Sequence, residues 1–365
     1  MELLELFKHL IESKSETPDD GELLDFIEDY LDNFESIRID KNGVKNLFLY
    51  KNFCEGEHLC FAGHVDVVPA GEGWSSDAYT LTERDGYLYG RGTQDMKSGV
   101  TAFVQALKDV KDFKGTLSVL LTSDEEGEAE FGTIEVLKYL KEKDMLPDYA
   151  VVAEPTCEEY FGDAIKVGRR GSINGYLTVF GKQGHAAYPE KSINPIHLLA
   201  PKLQNMAGVN LDNGDEFFSP SKFVITDIRA GMQVTNVTPN DLKMMFNVRN
   251  TTKTTQKEIK EFVAKHFNGI DYELRLTQGS YPFQTDTNTK IVRNIDSAIK
   301  NVTGQKPKHS TAGGTSDARF MAPMGIKVIE FGVKNDTIHS VDERTTKEEL
   351  QGLYRVFQEL IKEWR

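Results

Sequence analysis

The chain has 365 residues, of which 39% are hydrophobic and 27% are charged, and this composition is ordinary for a folded globular protein. It excludes a disordered chain, a collagen and a membrane protein. Because a single hydrophobic core rarely grows beyond about 250–300 residues, the length predicts two domains. The net charge of −14 argues against nucleic acid or an anionic membrane as a partner. An anionic small molecule is still compatible with this charge, since local basic groups can dominate the field inside a cleft.

The three cysteines, Cys54, Cys60 and Cys157, form no CxxC pair, which argues against a disulfide framework or a thiolate zinc site. The charged, amphipathic N-terminal segment lacks a basic stretch followed by an apolar core, so we expect no signal peptide. No apolar run approaches the roughly 18–20 residues that a membrane helix needs. Together these features predict a cytoplasmic location.

Helix and strand patterns alternate through the first half of the chain. Apolar spacing predicts helices at residues 3–13, 21–33, 96–110 and 133–143. Buried strands are predicted at NLFLYKN, HLCFAGHVDVV, GTLSVLLTS and DYAVVAEPT. This alternation favours an α/β domain whose central sheet is flanked by helices.

The pattern changes near residue 172, where apolar residues begin to alternate as in a sheet with one exposed face. The next elements are a helix at 194–207, strands FVITDIRAG and DLKMMFNVRN, a helix at 257–267 and a strand in DYELRLTQGSYPF. This order is that of a ferredoxin-like α+β domain. The α/β pattern resumes with a helix at 289–303, the strand KVIEFGV and a helix at 346–364. We therefore predict one domain formed by residues 1–171 and 283–365, with residues 172–282 inserted into it.

Acidic and imidazole groups recur where elements of the first domain meet: His64, Asp95, Glu125, Glu126 and Glu154. In open α/β sheets, ligands bind beyond the carboxyl ends of the strands. Each group alone has a structural explanation, such as a helix cap for Asp95 or a turn for Glu154. Because uncompensated charges at adjacent strand ends would repel, their recurrence favours a bound cation.

Asp66 lies two residues after His64 on an extended segment, so the two side chains point to the same face. We expect the Asp66 carboxylate to accept the imidazole proton and to orient the other ring nitrogen towards a metal.

Five motifs occur in order along the chain: GHVDVVP, YGRGTQDMKSG, SDEEG, AEPT and GHAAYP. Together they resemble the co-catalytic zinc peptidase and deacylase family, which includes aminoacylases, acetylornithine deacetylase and glutamate carboxypeptidases. The resemblance implies a zinc-exopeptidase-like catalytic domain with a central mixed sheet. It also implies that the inserted ferredoxin-like domain serves as a dimerisation and lid domain.

The resemblance implies two zinc ions per subunit, bridged by Asp95. His64 and Glu154 would hold one ion, and Glu126 and His339 would hold the other. Cobalt or manganese would also suit such oxygen and imidazole ligands. Glu125 would be the general base, which activates a water between the two ions and passes the proton to the leaving amine.

The same family pattern makes His185 the donor to the oxyanion, acting from the partner subunit, and therefore implies a homodimer. Asn236 resembles a second polar residue that lines the site. Taken alone, His185 could instead be a turn residue and Asn236 a strand-end cap.

The segments GRRGS and TAGGTSDARF resemble the desuccinylase branch of the family. This implies an anionic substrate, N-succinyl-LL-2,6-diaminopimelate, that is hydrolysed to succinate and LL-2,6-diaminopimelate. Another amide hydrolase of the family, such as a deacetylase, aminoacylase or carboxypeptidase, is the alternative, and a non-catalytic anion-binding member is a third. The expected substrate contacts are Arg170, Arg249, Arg319, Asn236, Gly314 and Thr315. Arg169 is a further candidate, although some of these arginines are expected to be purely structural.

Overall fold

The computed structural model describes residues 1–364. Its helices are α1 (Leu3–Glu12), α2 (Leu23–Tyr30), α3 (Lys97–Asp109), α4 (Thr133–Glu142), α5 (Pro195–Leu203), α6 (Gln256–His266), α7 (Lys290–Thr303), α8 (Ala318–Met321) and α9 (Lys347–Glu363), with 3-10 turns at Pro189–Lys191 and Ala322–Met324.

The strands, in chain order, are β1 (Glu35–Arg38), β2 (Asn46–Asn52), β3 (His58–His64), β4 (Thr82–Arg84), β5 (Tyr87–Tyr89), β6 (Thr116–Thr122), β7 (Tyr149–Val152), β8 (Ala164–Lys166), β9 (Gly168–Arg169), β10 (Ser172–Phe180), β11 (Gly184–His185), β12 (Lys222–Ala230), β13 (Val237–Thr238), β14 (Asp241–Arg249), β15 (Tyr272–Ser280), β16 (Phe283–Gln284), β17 (Lys308–Ser310), β18 (Lys327–Glu330) and β19 (Arg344–Thr345).

The chain divides into two compact units. The first unit contains residues 1–168, 284–310 and 316–364, and the second contains residues 169–283 and 311–315. Each unit thus draws on separated stretches of the sequence. Among residues 1–364, no helix is long and apolar enough to cross a membrane.

The first unit is built on an eight-stranded sheet in the order β1-β2-β6-β3-β7-β18-β8-β17. The pairs β6-β3, β3-β7, β7-β18 and β8-β17 are parallel. The pairs β1-β2, β2-β6 and β18-β8 are antiparallel, so the sheet is mixed. Helix α3 packs against α1 and α9, and α9 packs against α7. The prediction of a mixed sheet flanked by helices is confirmed.

Three parallel neighbours in this sheet position the candidate site. His64 is the last residue of β3, and Glu125 and Glu126 follow the end of β6. Glu154 follows the end of β7. Since β3 pairs in parallel with both β6 and β7, these side chains begin at the same edge of the sheet.

The second unit contains a four-stranded antiparallel sheet in the order β12-β14-β10-β15. Along the chain the elements run β10-α5-β12-β14-α6-β15, the ferredoxin-like order that the sequence predicts. Alternate residues of β10, including Ile173, Leu177 and Val179, are buried with Ile259 and Val263 of α6. This hydrophobic core is why β10 shows the period-two pattern.

Candidate active site

Asp95 lies between two imidazole rings and faces each with a different oxygen. Its Oδ1 is 3.2 Å from His64 Nε2, and its Oδ2 is 3.4 Å from His339 Nε2. Glu154 Oε1 lies 3.8 Å from His64 Nε2, whereas Glu126 Oε1 lies 2.9 Å from His339 Nε2. The five residues therefore form two groups that share Asp95.

The donor set of this cluster fits divalent metal ions. Ligand atoms of His64, Asp95 and Glu126 lie within 4.8 Å of one another, as do those of His64, Glu125 and Glu154. All are imidazole nitrogens or carboxylate oxygens, which suit zinc, cobalt or manganese. Five carboxyl groups, including that of Asp66, face only two imidazoles, so added positive charge would relieve their repulsion.

The charged groups of the cluster shift one another's pKa values. Burial opposes a charge on His64, but the carboxylates of Asp95 and Asp66 hold the pKa of this imidazole well above its ordinary value. Hydrogen bonds to Asp95 and Glu126 raise the pKa of His339 to about 10. Burial, together with the Asp95 charge, raises the pKa of Glu154 well above its usual range. All three pKa values are raised, which favours charged imidazoles beside a neutral Glu154 carboxyl, and strongly shifted pKa values of this kind are typical of functional sites.

The structure corrects the role expected for the Asp66 carboxylate. His64 Nδ1 lies 2.8 Å from the backbone carbonyl oxygen of Asp66, while the nearest carboxylate oxygen is 3.6 Å away. That carboxylate instead accepts the backbone N–H groups of Glu125, at 3.4 Å, and Glu126, at 3.1 Å. Asp66 thus orients the imidazole through its main chain and the two glutamates through its side chain.

Glu125 and Glu126 are adjacent but belong to different parts of the cluster. A carboxylate oxygen of Glu125 groups with His64 and Glu154, whereas one of Glu126 groups with His64 and Asp95. Burial raises the pKa of Glu125 well above its usual range. A carboxyl group in that state can hold a proton beside a reacting bond and later release it.

Glu343 is a buried residue of this region that the sequence analysis missed. Its carboxylate accepts the backbone N–H groups of Gln94, at 2.8 Å, and Asp95, at 3.1 Å. The one feature of the sequence that pointed to Glu343 is its closeness to a candidate ligand: it follows His339 by four residues in the segment NDTIHSVDE. In sequence, however, an Asp-Glu-Arg run is typical of a solvated turn.

His185 and Asn236 are neighbours in the second unit. Strand β11, which ends at His185, pairs with β13, and the Ala186 N–H donates to the Asn236 carbonyl oxygen at 2.9 Å. The Ala187 N–H donates to His185 Nδ1 at 3.0 Å. Because Nδ1 is an acceptor, a neutral His185 ring carries its proton on Nε2, and the side chain is exposed. The exposed ring thus offers one N–H donor.

The arginines of the second unit differ in their surroundings. Burial and the adjacent charge of Arg249 lower the pKa of Arg170, and its buried Nε has no hydrogen-bond partner among residues 1–364. Arg169 instead donates from Nη1 to the carbonyl oxygens of Ala312, at 3.2 Å, and Gly314, at 3.3 Å. Arg170 and Arg249 therefore form a pair of like charges, whereas Arg169 supports a loop.

The remaining predicted substrate residues are divided between the units. Gly314 and Thr315 belong to the loop 311–315 of the second unit. Arg319 lies in α8 of the first unit, with its guanidinium 4.6 Å from the centre of the Phe320 ring.

Comparisons with a family model and with curated relatives point to one protein family. Residues 60–363 match the model of peptidase family M20/M25/M40. The chain is 76% identical to the succinyl-diaminopimelate desuccinylase of Sulfurimonas denitrificans, over 100% of both chains. It is 65% identical to the protein of the same name from Nitratiruptor, over 99% of this chain and 100% of that relative.

A solved structure of similar fold is an aminopeptidase from Bacillus cereus. It has a TM-score of 0.82 at 20% identity and covers 99% of this chain and 98% of its own. At that identity the likeness concerns the fold.

Proposed function

This chain belongs to peptidase family M20/M25/M40, and we propose that it is a zinc-dependent amide hydrolase acting on N-succinyl-LL-2,6-diaminopimelate. Its products are succinate and LL-2,6-diaminopimelate. The second product feeds lysine and meso-diaminopimelate biosynthesis. The observation that carries the proposal is the pair of ligand groups sharing Asp95, with Glu125 beside them. The high identity to relatives named succinyl-diaminopimelate desuccinylase supports the substrate.

In this proposal two metal ions are held by the five ligand residues. His64 and Glu154 would hold one, Glu126 and His339 would hold the other, and Asp95 would contribute a ligand atom to each. A bound divalent pair lowers the pKa of a water molecule to about 7 and polarises the amide carbonyl. The nitrogen and oxygen donors suit zinc, and they are equally compatible with cobalt or manganese.

In the proposal, Glu125 transfers the proton that the reaction requires. Glu125 removes a proton from the attacking water and delivers it to the leaving amine nitrogen, so that the C–N bond breaks as the amine forms. Burial raises the pKa of Glu125 well above its usual range, which favours a carboxyl group that holds a proton between the two steps. The partner subunit's His185 donates its Nε2–H to the developing oxyanion, supported by the free donor position on that ring.

In the proposal, guanidinium groups and backbone N–H groups bind the substrate carboxylates. The Arg170–Arg249 pair has like charges without a neutralising partner in the ion pairs of this unit, and guanidinium groups bind carboxylates bidentately. In the proposal, Arg319, Asn236 and the backbone at Gly314 and Thr315 add further contacts. Several such donors suit a substrate that carries three carboxylates.

We also propose that the protein is a cytoplasmic homodimer. The outer strand β12 of the four-stranded sheet exposes Val224 (45%) and Ile228 (42%), and Met245 of the adjacent strand is 41% exposed. The unpaired backbone groups of an edge strand are a template for pairing with a second chain. The sparse cysteines favour a reducing compartment.

A substrate panel tests the function. Protein loaded with zinc should release succinate from N-succinyl-LL-2,6-diaminopimelate, and a chelator should stop the release. N-acetylornithine and simple dipeptides serve as comparison substrates. Rapid hydrolysis of one of these, with no turnover of the succinylated compound, would overturn the substrate assignment. No hydrolysis of any amide would favour an anion-binding role.

A further inference from the structure

Two loops that carry candidate metal ligands are joined by a buried carboxylate. Asp95 lies on the loop before α3, and His339 lies on the loop before β19. Glu343, which is fully buried, belongs to the His339 loop but accepts hydrogen bonds from the Asp95 loop. Its Oε1 accepts the backbone N–H groups of Gln94 and Asp95, and its Oε2 accepts that of Gly92 at 3.1 Å.

Gln94 makes the reciprocal connection. Its Nε2 donates to Asp336 Oδ1 at 2.7 Å, and its Oε1 accepts both the backbone N–H and the hydroxyl of Thr337 at 2.9 Å. The Gln94 side chain is buried, whereas its partner Asp336 is exposed. Each loop therefore contributes one side chain that accepts hydrogen bonds from backbone N–H groups of the other loop.

Arg91 completes the connection from the Asp95 loop. Its Nη1 donates to Glu343 Oε2 at 2.7 Å and to the carbonyl oxygen of Ser340 at 3.2 Å. Ser340 is the residue after His339. This charged pair is almost fully buried, and removing one partner would leave an uncompensated charge.

The other candidate ligands are held by different contacts. His64 is bonded to the Asp66 carbonyl at the end of β3, and the Glu126 backbone is bonded to the Asp66 carboxylate. Glu154 lies two residues after the end of β7. The hydrogen bonds of Glu343 and Gln94 therefore act on one distance in particular, that between Asp95 and His339.

We propose that Glu343 and Gln94 are positioning residues that fix the separation of Asp95 and His339, and through it the affinity of the metal position formed by Asp95, Glu126 and His339. The inference rests on the proposed function only in taking these residues as metal ligands. Residues that orient ligands in this way typically change metal affinity by about 10–100-fold when replaced.

The test is a pair of titrations of the metal-depleted full chain. Binding of Zn²⁺ is measured by calorimetry, and binding of Co²⁺ is measured by its visible absorption. Glu343→Gln replaces an acceptor oxygen with an NH₂ group facing the N–H groups of Arg91 and Gly92. We expect it to weaken one of the two binding steps by about 10-fold or more and the other by less than about threefold. Asp336→Ala, at an exposed position, should weaken the same step to a smaller extent.

Glu349→Gln is the matched control, because Glu349 is another buried glutamate of this unit that bonds Thr345 away from the cluster. The proposal is overturned if both steps weaken equally, if neither changes, or if the control causes the same loss. The titration needs no substrate. A chain that binds two ions with the expected pattern but does not hydrolyse the succinylated compound would contradict the proposed function alone.

Discussion

At the scale of single residues, one peptide bond separates a proposed metal ligand, Glu126, from a proposed proton carrier, Glu125. The Asp66 carboxylate accepts the backbone N–H groups of both, so one buried anchor sets the direction of two side chains. Each oxygen of Asp66 takes one of these donors. The division of roles therefore depends on backbone geometry as much as on the two carboxyl groups.

Glu125→Gln keeps the size of the side chain but removes its ability to carry a proton. We expect the hydrolysis rate to fall at least about 100-fold, because general acid–base catalysis contributes that much or more. Zinc content, measured by mass spectrometry, should stay near that of the unmodified protein. Glu128→Gln, at an exposed position in the same loop, is the control and should retain activity. Surviving activity in Glu125→Gln would show that another group is the base.

The sequence predicted the candidate ligands better than it predicted what holds them. His64, Asp95, Glu126 and Glu154 stand beside apolar strands or a helix start, so their position is visible in the pattern. The bonds of Glu343 are long-range contacts to backbone N–H groups, and no local pattern marks them. The choice between carbonyl and carboxylate of Asp66 likewise depends on how the chain turns after β3.

At the scale of elements, the predicted helices agree with the structure to within a few residues because apolar residues recur at helical spacing along them. The long central strands β2, β3 and β6 were also predicted, since they are buried on both faces. The short strands β1, β8 and β17 were not. Strands of three or four residues at or next to a sheet edge contain too few residues to show a period.

Helix α3 approaches the end of β7 at Gly99, and this contact supports the residue before Glu154. A Cβ at Gly99 would lie 2.6 Å from the Ala153 Cβ and would also overlap the Ala153 carbonyl oxygen. Gly99→Ala should therefore lower the free energy of unfolding by about 2 kcal/mol, as overpacked core substitutions do, and reduce activity. Urea denaturation measures the first effect.

The control for this prediction is Gly279→Ala, where the nearest atom to an added Cβ is 3.5 Å away. It should leave the urea midpoint almost unchanged. An unchanged midpoint in Gly99→Ala would mean that α3 and β7 can separate without cost.

At the scale of the whole molecule, the proposed dimer makes each active site depend on two chains. The groups proposed for the metals and the general base lie in the first unit, whereas His185 and Asn236 lie in the second. The Nδ1 atom of His185 accepts the Ala187 N–H, which leaves Nε2 as the donor that a neutral ring would present to a partner. Loss of dimerisation would then remove activity without changing the metal ligands.

Mixing two inactive variants tests this dependence. His185→Ala and Glu125→Gln should each be inactive alone. After mixed refolding they should recover about a quarter of the original activity, because half the dimers are mixed and each contains one complete site. Light scattering measures the dimer content. If no activity returns although mixed dimers form, His185 acts within its own chain.

The order of strands also has a consequence for synthesis of the chain on the ribosome. Strand β18 lies between β7 and β8, although it comes more than a hundred residues after them in sequence. Until Lys327–Glu330 has emerged, β7 presents an unpaired edge next to the future metal site. Such edges promote association between incomplete chains. Chains that stop short of β18 are therefore expected to collect as aggregates or to be degraded, and not to persist as a half-active hydrolase.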